Sequence, residues 1–438
     1  MDSRERQRQA VTILVDSLVS FYALEPVIRE LGKRGLDLYL FAPSSILVRI
    51  RDLLVDVAID FRELDAIAAR SRRWLYVHRF LRQMLTRPNF SFQYRLLSDP
   101  RQYPGDWRYR WTARLARMSP GIRHDRINRV LKAMISIVVR SPFPSSSVLA
   151  ASRNMFPHLL CARGLKVTTI LESWDHPVKW PVGHTSRLVF TWNDPLAQDW
   201  RNFQGDQEVY AAYPFKLRYW IEKRIENRSI GKRRVVVYAA GTSSMSYINN
   251  LYQDELRVIE AVCQACVAAG WELVIKPKPN GKIGDFDRFV ARYSNVRIGG
   301  YRDASSPSDY YLDDDYNRQR ERELEEADLL INALTTFALD AAVAGVPCLQ
   351  LDLRGCPEYK GVAEGQTNHH IARYLLADKQ SCLVASSGML VEQLREFLRN
   401  PDERPERARD RLREWLRSSR SCAEVVRSIA DRLLEVTL

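Results

Sequence analysis

The stretch from Ala327 to Asp352, A-D-L-L-I-N-A-L-T-T-F-A-L-D-A-A-V-A-G-V-P-C-L-Q-L-D, constrains the fold more than any other. Leu329 to Asn332 is an apolar run of strand length. Thr335 can cap the helix that follows. Phe337, Leu339, Ala341, Ala342 and Val343 give that helix a packing face, and Gly345 ends it. Val346 to Leu351 reads as the next strand. Two strands joined by a short helix form a parallel β-α-β unit, which requires a sheet covered by helices on both faces. The helix is rich in alanine, so a sheet or a ligand can approach it closely. Thr335 and Thr336 stand at its start, where helix N–H groups favour phosphate. Asp340 lies one turn further in, within reach of a ribose hydroxyl. An ordinary packed β-α-β unit with a capping threonine is the other reading of these residues.

The same alternation recurs along the chain. Val11 to Val15 reads as a strand, followed by an amphipathic helix to Gly35 and a strand at Leu36 to Phe41. The first strand-to-helix turn lacks G-x-G-x-x-G, so no dinucleotide site is expected there. Strands follow at Ser147 to Ala151, Val167 to Leu171, Arg187 to Thr191 and Val209 to Tyr213, with a helix at Asn154 to Arg163. A charged segment, Lys216 to Lys232, reads as a helix plus linker. Beyond it V-V-V-Y-A-A-G-T-S-S opens a second run, with strands at Trp271 to Ile275 and Val296 to Ile298 and a helix at Asp285 to Tyr293. The acidic Y-Y-L-D-D-D-Y stretch is expected to start the charged helix before Ala327, because carboxylates favour a helix N-terminus. The tail from Pro401 is rich in Arg and Glu and reads as helical.

With 438 residues, two domains with good cores are expected. The longest compact apolar run, Met134 to Val139, is far too short to cross a membrane. The charged start, M-D-S-R-E-R-Q-R-Q, does not read as a signal peptide. Seven scattered cysteines give no disulfide or zinc pattern, and Cys263 and Cys266 read as buried helix residues. The expected setting is reducing and cytoplasmic. The charge is local. From Arg70 to Ala133 there are 15 Arg and one Lys against Asp99, Asp106 and Asp125, so this segment accounts for the whole net charge of +13. Aromatic residues such as Trp74, Phe80, Trp107 and Trp111 are interleaved with the arginines. Such a composition suits an anionic membrane surface or nucleic acid. It also suits a solvated basic face over a local core. No named nucleic-acid motif is present, so nucleic acid is not the expected partner.

Four motifs in order resemble bacterial surface-polysaccharide transferases of the GT-B glycosyltransferase fold. E-S-W-D-H-P followed by W-N-D looks like their S-W-D-N and W-N pair. V-V-Y-A-A-G-T is similar to the start of their donor domain. I-K-P-K-P-N looks like their strand ending in K-P-H-P, with Lys278 in place of the histidine. T-T-F-A-L-D-A-A-V-A-G-V-P is similar to their donor helix. The resemblance spans roughly Asp16 to His370. It implies an α/β protein of two Rossmann-like domains: residues 1–222 on the acceptor side, with a basic helical insertion at about 65–140; residues 223–405 for the nucleotide sugar; and C-terminal helices over 406–438.

The implied reaction moves a sugar from a nucleotide sugar to a membrane-proximal or lipid-linked glycan acceptor. Gly241, Thr242, Ser243, Lys276, Lys278, Thr335, Thr336 and Asp340 are the expected donor-binding residues, gathered at one end of the second sheet. They would neutralise charge on the departing phosphate, and Asp340 would bind ribose. No cofactor is expected beyond the donor as substrate. No metal is expected, because no convincing D-x-D motif ends a strand. The base is expected from the first domain: Asp175 first, His176 second, with Glu172 and Asp16 as further candidates. A turn-capping or surface role is the alternative for each. His369 and His370 could touch the donor or form a surface pair. The enzyme is expected to be peripheral on the inner face of the membrane, held by Arg70 to Ala133. A CDP-alcohol phosphotransferase, a nucleotide-sugar 2-epimerase, or a non-enzymatic nucleic-acid or membrane-binding protein are the alternatives.

Overall fold

A computed structural model describes residues 9–15, 17–64, 144–145, 147–151, 165–171, 187–204, 208–222, 228–230, 233–241, 249–277, 284–300, 314–368, 370–418 and 420–437. The basic insertion, the helix expected at Asn154 to Arg163, and the residues Asp16, Glu172, Asp175, His176, Thr242, Ser243, Lys278 and His369 lie outside the described residues. The chain forms two units. Among the described residues, the first runs to Arg218 and takes back the chain from Ser418; the second holds Tyr219–Arg417.

Unit 1 is built on β1 (Ala10–Leu14), β2 (Asp37–Ala42), β3 (Ile59–Glu63), β4 (Ser147–Ala151), β5 (Lys166–Ile170), β6 (Leu188–Thr191) and β7 (Glu208–Ala211). They form one sheet in the order β3-β2-β1-β4-β5-β6-β7, and every pairing is parallel. Its central strands are buried on both faces, as a sheet covered on both sides requires. Between β1 and β2 runs α1 (Leu18–Lys33), capped by Ser17, whose hydroxyl accepts from the Ser20 N–H at 3.2 Å. Gly35, at φ +72°, makes the turn out of it. Further helices of this unit include α2 (Ser44–Leu53) and α3 (Asp194–Gln204).

Unit 2 contains β8 (Val235–Ala239), α4 (Asn249–Ala269), β9 (Glu272–Lys276), α5 (Gly284–Arg292), β10 (Val296–Ile298), α6 (Asp314–Glu326), β11 (Leu329–Asn332), α7 (Phe337–Val343), β12 (Cys348–Asp352), α8 (Lys360–Asn368), α9 (His370–Leu376), β13 (Cys382–Val384), α10 (Leu390–Arg399) and α11 (Arg404–Leu416). Its sheet has the order β10-β9-β8-β11-β12-β13, again parallel throughout. Cys263 and Cys266 are buried residues of α4, and the aspartate stretch leads into α6, as expected. The start of β8 is clamped to the start of β11. One carboxylate oxygen of Asp328 accepts the N–H groups of Arg233 and Arg234, which holds Arg234 at φ +59°.

The last helix, α12 (Cys422–Thr437), belongs to unit 1. It lies against α1, β4 and β5. Val425, Ile429, Ala430 and Leu433 form its buried face. Arg34 at the end of α1 donates to Asp431 at 2.5 Å, and the Arg432 guanidinium sits 3.7 Å from the Tyr210 ring centroid. Among the described residues no helix is long and apolar enough to cross a membrane.

Candidate functional site

Strand order locates the candidate site. In unit 2 the chain winds outward from β8 through β9 to β10. It then returns to the other side of β8 and winds through β11, β12 and β13. The reversal leaves β8 and β11 side by side with their connections leaving in opposite directions. A crevice at the carboxyl ends of such a strand pair is the usual ligand position in an open parallel sheet. Gly241 follows β8 there, and Thr335 and Thr336 follow β11. All three are partly exposed, whereas the strands behind them are buried.

The two turns touch. A Cβ on Gly241 would lie 3.1 Å from the Leu334 Cβ and 3.3 Å from its carbonyl carbon. A Cβ on Gly365 of α8 would meet the other side of Leu334, 2.9 Å from Cδ1. At Gly241 the contact is with the Leu334 Cβ and backbone, so the absence of a Cβ there lets the two turns come close. The β11 turn is fixed from below by buried amides. Asn332 accepts the Thr335 N–H at 2.9 Å and donates to Gln350 at 2.6 Å. Gln350 and Gln366 each donate to the Ala333 carbonyl at 3.1 Å. Gln366 also accepts the Leu353 N–H at 2.9 Å and donates to Leu351 at 2.6 Å. A fully satisfied buried network of this kind specifies one turn conformation. Thr335 then accepts the Phe337 N–H at 3.2 Å, at the start of α7. On the β8 side, buried Glu255 of α4 accepts the Gly241 N–H at 2.7 Å. Burial, with Glu255 beside it, pushes the Tyr238 hydroxyl well above its ordinary range.

Lys276 and Asp340 sit behind these turns, and α6 joins them. Lys276, at the end of β9, is 4% exposed. Its ammonium lies 2.6 Å from a Glu323 oxygen and donates to the Gly300 carbonyl at 3.2 Å. The other Glu323 oxygen accepts the Gly300 N–H. Both backbone groups of Gly300 are thus held by one ion pair. Gly299 leaves room for it, since a Cβ there would lie 2.9 Å from the Glu323 carboxylate. Burial pulls the Lys276 pKa below its ordinary value, and Glu323 opposes the shift. Arg320, one turn before Glu323 on α6, donates to the Asp340 carboxylate. The two cations and two carboxylates are all buried.

Unit 1 repeats the reversal between β1 and β4. The W-N-D motif is a scaffold there. Trp192, buried, donates its indole N–H to the Leu171 carbonyl at 3.0 Å, immediately before Glu172. Asn193 accepts the Leu196 N–H at 3.0 Å and so caps α3. The Trp192 bond fixes the residue after β5, next to the E-S-W-D-H-P motif.

No protein-family profile and no curated protein matches the chain. Several solved structures follow a similar course. UGT89C1 of Arabidopsis thaliana, solved with UDP, has 12% identity and a TM-score of 0.46, over 97% of this chain and 100% of that one. The UDP-GlcNAc 2-epimerase of Methanocaldococcus jannaschii, solved with UDP-GlcNAc and UDP, has 10% identity and a TM-score of 0.49, over 97% and 99%. The spinosyn forosaminyltransferase SpnP has 14% identity and a TM-score of 0.44, over 98% and 100%.

Of the donor-side residues expected from the sequence, Gly241, Thr335 and Thr336 stand at the paired turns, with Lys276 and Asp340 buried behind them. Sequence reasoning missed Glu255, Arg320, Glu323, Gln350 and Gln366. The i, i+3 spacing of Arg320 and Glu323 on α6 was the available signal for that pair, hidden in a helix that is charged throughout. Among the described residues no group of three or more His, Cys, Asp or Glu could hold a metal ion.

Proposed function

We propose that this protein is a glycosyltransferase that moves a sugar from a nucleotide-sugar donor to a membrane-proximal or lipid-linked glycan acceptor in surface polysaccharide synthesis. The observation that carries the reading is the pair of touching turns at the carboxyl ends of β8 and β11, with Gly241 against Leu334. A glycine turn and two threonines at a topological switch point suit a diphosphate. The four motifs described above support the transferase class. Asp175 is the proposed base, with His176 second; the support is their place in the chain just after the end of β5, where Trp192 fixes the backbone. The base takes the proton from the acceptor hydroxyl while the phosphate leaves.

A thermal-shift screen of UDP-, GDP-, CMP- and CDP-linked donors tests the reading, and stabilisation by at least one of them is the expected result. Thr336→Ala should weaken that donor by about tenfold, the loss of roughly one hydrogen bond to a charged group. Asp175→Asn should keep nucleotide affinity and lower turnover. No stabilisation by any donor would count against the whole reading. Isomerised donor without transfer would assign a 2-epimerase instead.

The basic segment Arg70 to Ala133 is the proposed contact with an anionic leaflet, where each Lys or Arg contributes on the order of 1 kcal/mol. The protein should float with anionic vesicles and not with neutral ones, and Arg72, Arg73, Arg79 and Arg82 changed to Ser should reduce flotation. Tight binding to RNA without flotation would overturn this assignment.

A further inference from the structure

We propose that Arg320 is a positioning residue for Asp340, turning that carboxylate into a fixed acceptor for the ribose of a nucleotide ligand; the inference rests on the nucleotide reading above. Arg320 is 8% exposed and Asp340 7%. The Arg320 Nη2 donates to Asp340 Oδ1. Among the described residues no other side chain donates to this carboxylate, so its second oxygen is not committed to the protein there. The guanidinium also lies 6.0 Å from the centroid of the Phe337 ring, which is partly exposed at the start of α7. Its Nε is buried and has no hydrogen-bond partner among the described residues. A guanidinium recruited only to fasten α6 would be expected to use its flat edge on two oxygens, as bidentate Arg–carboxylate pairs do. Here fastening is done by another pair. Lys276 and Glu323 hold both backbone groups of Gly300, which ties α6 to the ends of β9 and β10. The four charges therefore divide into two pairs. Lys276 and Glu323 dock the helix, and the docked helix presents Arg320 to Asp340. A carboxylate held through one oxygen by a guanidinium keeps one orientation and can accept hydroxyl hydrogens with the other oxygen. That is the chemistry a ribose diol needs.

The experiment takes whichever of UDP, GDP, CDP and CMP binds the wild-type protein most tightly. Calorimetry then compares it with its 2′,3′-dideoxy counterpart on wild type, Asp340→Asn, Arg320→Lys and Arg320→Met. Wild type should prefer the ribose form by about tenfold or more, the scale of one charge-assisted hydrogen bond. The preference should fall to within about twofold in Asp340→Asn and Arg320→Met and stand near threefold in Arg320→Lys, which keeps the charge and loses the planar fork. Affinity for the dideoxy form should stay near wild type in all three, which a general loss of structure would not allow. Retention of the full ribose preference by Arg320→Met, or by Arg320→Lys if the methionine variant does not fold, overturns the inference and leaves the nucleotide reading standing. Equal affinity of wild type for both forms does the same. Absence of binding to all four nucleotides overturns both.

Discussion

Lys276→Met lowers the stability of unit 2 by about 3–5 kcal/mol, the cost of leaving one member of a buried ion pair alone. The lysine and its partner Glu323 are each 4% exposed, so water cannot replace the missing charge. Glu323 must then either stay ionised in a poorly hydrated place or take up a proton. Adding Glu323→Gln should recover most of the loss. The glutamine removes the stranded charge and can still accept the Gly300 N–H, which Glu323 accepts in the native fold. Urea unfolding of the wild type and of the single and double variants measures both effects. A single-variant loss below about 1 kcal/mol would mean that solvent reaches the pair, as at a surface salt bridge. This result also bears on donor binding. Because Lys276 is committed to Glu323, any effect of Lys276→Met on the proposed donor affinity would be mixed with its effect on stability, and Thr336 is the cleaner probe of the proposed site.

Unit 2 should lose stability in mild alkali, on the order of 5 kcal/mol between pH 9 and pH 10. The cause is five buried thiols, Cys263, Cys266, Cys348, Cys356 and Cys382. Burial pushes Cys263 and Cys382 up to about 12 and Cys356 up to about 11, and it raises Cys266 and Cys348 as well. A thiol whose pKa is higher in the fold than in the open chain adds stability that is complete below pH 9. That stability is lost as pH rises from there toward the folded value. Each thiol in this window removes up to about 1.4 kcal/mol per pH unit. Lys276 works the other way, since its burial disfavours the cation and that penalty is relieved as pH approaches its ordinary value of 10.5. One group against five does not change the sign. Urea midpoints at pH 8, 9 and 10, with thiolate absorbance followed in parallel, should show ionisation and unfolding together. Thiolate appearing while the midpoint stays constant would show that the thiols titrate inside the fold.

The architecture was legible because the central strands are mostly apolar runs of strand length and several turns carry glycine at positive φ. V-V-V-Y-A and L-L-I-N became β8 and β11, and Gly345 closes α7 at φ +82° as its place in the sequence suggested. One margin of each sheet was not read, while Val209 to Tyr213 and Val296 to Ile298 matched the opposite edges β7 and β10. I-D-F-R-E alternates with partly exposed residues at one edge, and C-L-V is only three residues long at another, so neither carries the signature of a buried strand. The candidate site was legible at its rim, where Gly241, Thr335 and Thr336 fall in turns next to strong strands. Its support was not. The Lys276–Glu323 pair and the amides of Asn332, Gln350 and Gln366 join residues from different elements. Each of them taken alone has the composition of a solvated surface. Only the strand order, which local patterns do not encode, brings them together.

The helix Cys422–Thr437 completes a unit whose first strand, Ala10–Leu14, is the first described element. During synthesis, unit 1 must wait for about 200 residues of unit 2 to emerge, which at roughly 5–20 residues per second takes about 10–40 s. Through that interval the surfaces of α1, β4 and β5 that later receive Val425, Ile429 and Leu433 are open to solvent. The unit begun first is therefore the unit finished last, and its nascent form is the one a ribosome-bound chaperone would meet.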